Sequence, residues 1–343
     1  MASSRDFAKR YEADCRHLNQ FFSGNSSLNN ARPVLEIFTA RSSQEMKQIC
    51  RAYSSMFRQD LLQLLSQQKT TFARVACLRA SEPCVRDADI ARDALFGPRL
   101  DGDVLIEVVC TRPSGKVALI SQAYQARYSA SLERDVSART SGSLNEVLLA
   151  FLGSSGYHGG RVDATMAMCD AKTLYEAVES GRWVDQRSIL QLLRHRSGDQ
   201  LRAVLASYRR LYGQELARAL KRKDNDGGGG GGGGGRRGES SFPGILRAAL
   251  RCAQLPERHF ARAVRAALER GGGAAREALV RTVVTRAGVD VRRVNQAFAA
   301  KTGWTLESVV RNEFGCAAAA AAAGEKVDDG LTGDMLVELL KLA

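Results

Sequence analysis

Proline, histidine and tryptophan are scarce in this sequence, with six, four and two residues among 343. So few prolines, with few β-branched runs, argue for helix over sheet. The four histidines form no H-E-x-x-H or comparable cluster, which removes the usual catalytic zinc arrangements. No stretch approaches the roughly 18 apolar residues that span a bilayer. The seven alanines at 317–323 are too short and too weakly apolar to do so. The opening MASSRDFAKRYEADCRHL has no apolar segment of the signal-peptide kind, so a soluble, cytoplasmic protein is expected. Eight cysteines are present, yet none forms a C-x-x-C pair and several sit in helical apolar patterns. They are expected to be reduced and mostly buried.

What the chain has in excess is positive charge, +13 at neutral pH. That points to acidic partners, either anionic lipid or nucleic acid, and the total alone does not separate the two.

It also has repetition. With Arg41, Arg112, Arg196 and Arg286 set at zero, the residues seven before are Val34, Leu105, Ile189 and Leu279. Six before stand Leu35, Ile106, Leu190 and Val280, and three before Phe38, Val109, Leu193 and Val283. This spacing lays one apolar stripe along a helix, with the arginine expected in its last turn against the negative end of the helix dipole. Turn formers follow, and two copies carry a capping-box pattern, Ser42 with Glu45 and Ser197 with Gln200. A second stripe runs through Met46, Val117, Leu201 and Val291, then Ile49, Ile120, Val204 and Val294, then Tyr53, Tyr124, Tyr208 and Phe298. Twenty residues past each arginine stands a leucine, at 61, 132, 216 and 306, opening a third helix. One such unit could not bury its stripes alone, so the copies are expected to stack. The segment GSSGYHGG at 153–160 reads as a linker and the nine glycines at 227–235 as a solvated loop.

Four helical copies with Arg-x11-Tyr or Phe resemble the annexins, and most of all the plant branch. The likeness rests on EPCVRDADIARDAL, CTRPSGKVALISQAYQARYSASLERDV, AMCDAKTLYEAV and PERHFARAVRAAL, which occur in the right order. It implies an all-α fold of four tandem repeats, each of about five helices (A to E), stacked into a curved disc. Repeat limits of 1–82, 83–155, 156–256 and 257–343 are expected, with a poly-Gly insertion at 224–240 and an Ala-rich one at 315–330. It also implies a convex face that meets membrane, where calcium bridges protein and lipid phosphate. Carbonyls of a G-x-G-T turn between helices A and B, and a carboxylate between D and E, would hold the ion.

Calcium takes six to eight oxygens, and glycines let a turn aim carbonyls at one centre. The family's two glycines fall fifteen and thirteen residues before the arginine, and its carboxylate twenty-seven after. Copy one has Ser26, Leu28 and Gln68 there; copy two has Gly97, Arg99 and Arg139; copy three has Gly181, Trp183 and Lys223. Only copy four keeps the set, Gly271, Gly273 and Glu313, although Ala274 replaces the threonine and Arg276 an acid. One weak calcium site is therefore expected, in copy four. In the other copies positive charge replaces the bridging ion, so Arg99, Arg139, Lys223, Arg236 and Arg237 are candidates to contact anionic phospholipid directly. Trp183 is either an interfacial side chain or one packed between repeats.

Plant annexins have been associated with peroxidase and nucleotide hydrolysis. The first-copy histidine that the peroxidase argument needs is absent from Thr39-Ala40-Arg41, and His195 has no haem motif beside it. Ser114-Gly115-Lys116 lacks the upstream glycines of a phosphate-binding loop. A non-enzyme is expected. Its function would be calcium-dependent phospholipid binding with a calcium-independent electrostatic component, peripheral on the membrane, with self-association there as a further expectation. Specific nucleic-acid binding is not expected; a basic repeat protein that binds nucleic acid, or a calcium-free scaffold, is the alternative.

Overall fold

A computed structural model describes residues 10–23, 28–154, 161–181, 183–226, 241–317 and 327–342. These form twenty helices and no strand. Copy one supplies α1 (Glu12–Phe22), α2 (Leu28–Ala40), α3 (Ser43–Phe57), α4 (Leu61–Gln67) and α5 (Thr71–Ala80). Copy two supplies α6 (Pro83–Phe96), α7 (Gly102–Cys110), α8 (Ser114–Tyr128), α9 (Leu132–Arg139) and α10 (Gly142–Gly153). Copy three supplies α11 (Ala164–Glu179), α12 (Gln186–Arg194), α13 (Gly198–Tyr212), α14 (Leu216–Asp226) and α15 (Phe242–Gln254). Copy four supplies α16 (Pro256–Arg270), α17 (Gly272–Arg286), α18 (Val291–Thr302), α19 (Leu306–Phe314) and α20 (Val327–Leu340). None of them is long and apolar enough to cross a membrane.

The apolar columns are the core. Every residue in them is buried except Leu35, which is partly so. Polar residues set the helix starts. Asp60, Thr70, Asp101, Ser131, Asp163, Asp185, Ser241 and Thr305 each accept a hydrogen bond from the backbone N–H three residues on. The capping box of Ser42 and Glu45 is complete, each side chain bonding the other's backbone. That of Ser197 is half formed. Ser197 accepts from the N–H of Gln200, but the Gln200 amide instead pairs with the backbone of Asp163 in both directions, at 2.9 Å.

The chain divides into two compact units. One holds Met1–Arg86 and Glu257–Ala343. In it α20 packs on α2 and α5. Arg74 on α5 pairs with Glu277 on α17 at 2.7 Å, and Asp328 accepts from the N–H of Thr71 at 3.0 Å. The other holds Asp87–Pro256. There α10 packs on α7, α12 and α15, and the N–H of Gly198 donates to the Ser114 hydroxyl at 2.9 Å. Each unit therefore closes two copies over one another, as stripes too small to form a core alone require.

Candidate functional site

The four column arginines need correction first. Three of them, Arg41, Arg112 and Arg196, lie one or two residues beyond the helix before them, not in its last turn. A helix dipole is not their partner. Each meets an aspartate of its own copy's first helix, two oxygens to two nitrogens: Arg41 with Asp14 (2.9 and 3.2 Å), Arg112 with Asp87 (2.7 and 3.1 Å), Arg196 with Asp170 (2.6 and 2.9 Å). Arg286, still within α17, pairs with Asp290 instead, at 2.6 Å to both oxygens, and its guanidinium lies 4.7 Å from the Phe260 ring centre. Planar fork-to-carboxylate pairing is what arginine offers and lysine does not. The sequence carried a signal for this: an aspartate stands twenty-five to twenty-seven residues before the arginine in three copies.

In copy four a single residue, Gly271, separates α16 from α17. Gly271 has φ +72° and ψ −178°, and Gly272 has φ +58°. The first of these conformations is essentially closed to other residues. The N–H of Gly271 turns back to the Ala267 and Leu268 carbonyls, at 3.0 and 3.1 Å. A Cβ at Gly271, Gly272 or Gly273 would meet nothing within 4 Å, so the turn is open. Of the two glycines the resemblance singled out, Gly271 is needed for its backbone and Gly273 is not; Gly272 takes the second left-handed position.

Glu313 lies in the last turn of α19 and is half-buried. Its carbonyl accepts from Arg276 Nη2 at 2.6 Å, while Nη1 of the same guanidinium pairs with Asp329 at 2.9 Å. The Phe314 ring lies 4.9 Å beneath it. An open glycine turn and a carboxylate suit a weakly held calcium ion, but a guanidinium is bonded to the backbone carbonyl of the same Glu313. No group of three or more acidic, histidine or cysteine side chains positioned for a metal occurs among the described residues, so carbonyls would have to supply most of the oxygens.

Copies two and three do not fit the ion. In copy two Arg139 Nε donates to the carbonyl of Leu95, at the end of α6, at 3.2 Å, and its guanidinium lies 5.0 Å from the Phe96 ring. In copy three Lys223 Nζ donates to the carbonyl of Gly181 at 2.8 Å. The residues standing where the family has its carboxylate are thus cations already bonded to the A–B backbone. A second cation ~5 Å from a dication at an effective dielectric of ~20 adds repulsion of about 6–7 kcal/mol. Arg139 stays exposed and Lys223 is partly so, yet each ties the D end of its copy to the A end. Neither backbone partner is legible in the sequence, because a carbonyl is common to every residue.

Arg99 is exposed. Trp183 is 65% exposed, so it is not packed between helices, and Trp304 is comparably exposed at 61%. Gln68 ends α4 and is half-buried. Ser26 and the candidates Arg236 and Arg237 lie outside the described residues, as do the nine glycines and most of the linker at 153–160; Gly153 itself is the last residue of α10. Of the segments read as insertions, 224–226 lie in α14, which continues to Asp226, and 327–330 lie in α20, which begins at Val327. His195 sits exposed at the end of α12. None of the eight cysteines is in a disulfide, and fewer are buried than expected: Cys15, Cys110 and Cys252 are, and Cys169 is exposed. Burial raises the thiol of Cys15 to about 11 and that of Cys50 to about 12, with Asp14 and Asp60 adding to it.

Comparison with known proteins places these features. A family model described as Annexin matches residues 86–151 and 169–227. Annexin A13 of Homo sapiens is 32% identical over 308 residues, covering 88% of this chain and 90% of that one. Annexin D2 of Arabidopsis thaliana is 29% identical over 303 residues, with the same shares of both chains. Among solved structures, annexin III superposes with a TM-score of 0.75 at 24% identity, over 96% of this chain and 92% of that one. A calcium-bound annexin (Sm)1 reaches 0.73 at 21% identity, over 96% and 89%. With twenty helices in four sets of five and relatives of this similarity across most of its length, the chain belongs to the annexin family.

Proposed function

We propose that the protein docks peripherally on anionic phospholipid membranes through the A–B and D–E connections of its repeats, as a binding protein and not an enzyme. Family membership supports calcium-dependent phospholipid binding in general. The finer assignment is one weak calcium site in copy four, with Gly271 and Gly273 on the carbonyl side and Glu313 as the carboxylate. The open left-handed turn at Gly271–Gly272 carries it. These oxygens would hold the ion, which when bound would supply positive charge for a lipid phosphate. Glu313 would supply the anion, and the turn would keep its carbonyls clear of side chains. Arg276 would weaken the site by its charge.

The second part of the reading is calcium-independent attraction. Arg99, Arg139 and Lys223, with Arg236 and Arg237, stand in or next to these connections, and each Lys or Arg near an anionic surface contributes about 1 kcal/mol. Three to five of them give about 3–5 kcal/mol, enough for reversible, salt-sensitive binding. Repeat limits of 1–82, 83–155, 156–256 and 257–343 accompany this proposal, as do a cytoplasmic location and self-association on the membrane. The test is a calcium titration of binding to phosphatidylserine vesicles, wild type against Glu313→Gln. The variant should need at least about tenfold more calcium, as loss of the one anionic ligand requires. Superimposable curves would remove the copy-four site.

A further inference from the structure

Sixteen residues past the column arginine, three copies carry an aromatic residue, Phe57, Tyr128 and Tyr212, and copy four carries Thr302. In those three copies the ring packs on that of the tyrosine four residues before it. Centres are 4.9 Å apart for Tyr53 and Phe57, 5.0 Å for Tyr124 and Tyr128, and 5.1 Å for Tyr208 and Tyr212. Copy four has Phe298 followed by the threonine, and a cavity of about 210 Å³ lies against both. We propose that this cavity is a binding site for a small aromatic carboxylate, whose ring takes the place that the other copies fill with a ring of their own. The proposal does not draw on the membrane-docking reading, and it uses neither a glycine turn nor Glu313.

Leu268 on α16, Phe298 on α18 and Val309 on α19 make the apolar lining, and Trp304, between α18 and α19, adds a wall. The backbone that carries this wall is held on both sides. The Trp304 N–H donates to the Thr302 hydroxyl at 3.2 Å, and that hydroxyl donates to the Phe298 carbonyl at 2.9 Å. Beyond it Thr305 caps α19, and the N–H of Leu306 donates to the Asn295 side chain at 2.8 Å. Trp304 nevertheless stays 61% exposed, so its indole has apolar surface to offer a ligand. The other copies have no such wall: eighteen residues past their arginines stand Gln59, Ala130 and Gln214. An apolar cavity of about 150 Å³ admits benzene, so this one has room for a single ring and a short chain.

Charge sets the other half of the ligand. Among the described residues, Arg265 is the only charged one in the lining, and Asn312 stands there as a further donor. The Arg265 guanidinium pairs with Glu269 one turn on, at 3.5 Å, with the two side chains 48% and 63% exposed. Such a surface pair contributes little, so Glu269 can turn into solvent while a ligand carboxylate takes the fork.

The test uses the full chain, with hydrocinnamate as probe and hydrocinnamyl alcohol, which keeps the ring and loses the charge, beside it. Saturation-transfer NMR and calorimetry read binding. Hydrocinnamate should bind with a Kd of about 1 mM or below, as a ligand of its size can. The alcohol should bind about tenfold more weakly, for want of a charge-assisted hydrogen bond. Thr302→Tyr, which gives copy four the residue of copies two and three, should abolish binding of both while the urea midpoint does not fall. Arg265→Gln should weaken hydrocinnamate by about fivefold or more and leave the alcohol unchanged. An unchanged Kd in Thr302→Tyr, equal affinity for acid and alcohol in the wild type, or no binding at about tenfold the expected Kd would overturn the proposal. Should Thr302→Tyr fail to fold by circular dichroism, Arg265→Gln decides, and an unchanged hydrocinnamate Kd there overturns it equally.

Discussion

At the scale of single residues, the four arginines show how one sequence column can serve in different surroundings. The Arg112 side chain is 9% exposed and Asp87 is equally enclosed, whereas Arg41 is 39% exposed. Removing one partner of an enclosed pair leaves a charge without water or counter-ion, a loss of about 3–5 kcal/mol. Removing one partner of a half-exposed pair costs about 1 kcal/mol. Arg112→Ala should therefore lower the stability measured by urea unfolding several times more than Arg41→Ala. The tyrosine column varies likewise. The Tyr124 hydroxyl bonds Asp135 at 2.6 Å and accepts from Arg92 at 3.1 Å, the Tyr53 hydroxyl bonds Asn19 at 2.9 Å, and Phe298 has none to satisfy. The buried Tyr208 hydroxyl has no hydrogen-bond partner, so ring volume is what the column keeps across the copies, and a polar partner is made in only two of them.

At the scale of elements, the ends of the helices carry both stability and chemistry. All four third helices stop in the left-handed conformation, at Arg58, Ser129, Gly213 and Gly303, seventeen residues past the column arginine in each copy. Two copies use glycine there. The other two bear a Cβ strain of about 1–2 kcal/mol. Ser129→Gly should relieve part of it and raise stability by about 1 kcal/mol, read as a higher urea midpoint at unchanged slope. The connection between α16 and α17 is an element end of another kind, with two glycines at positive φ and Arg276 reaching to the far side of its copy. Replacing Arg276 by Gln removes the positive charge next to Glu313 and leaves Asp329 uncompensated. If copy four binds calcium, Arg276→Gln should lower the calcium needed for half-maximal vesicle binding by about tenfold or more, from electrostatics alone. A shift to higher calcium would mean that the guanidinium is required to hold the D–E backbone in place.

At the scale of the whole molecule, charge sets only the sign of the partner. A chain at +13 is drawn to any polyanion, lipid or nucleic acid. The exposed Trp183 and Phe96 favour a surface with an apolar interior, since an aromatic beside a cation gains from both halves of a bilayer interface. Vesicles containing phosphatidylserine should bind the protein in excess EGTA at low salt and release most of it near ~0.5 M salt, where the screening length is only a few ångströms. Flotation measures this. Tighter binding to RNA than to such vesicles at ~0.15 M salt, where the screening length is ~8 Å, would favour the nucleic-acid reading.

The sequence by itself determined that the protein is helical and fourfold. The columns at fixed distances from Arg41, Arg112, Arg196 and Arg286 record local periodicity, and burial follows periodicity directly. It also shows which copies lack the glycines and the carboxylate that the resemblance calls for, because the absence of a glycine or a carboxylate is visible without coordinates. Only the tertiary structure decided where the replacing cations go. Arg139 and Lys223 read as free surface charge, yet each is spent on a backbone carbonyl more than forty residues away. The same holds for Gly272, which takes a left-handed position while Gly273 does not. Such partners depend on how one helix end is brought against another, and that geometry is set by the packing of every stripe in the copy at once.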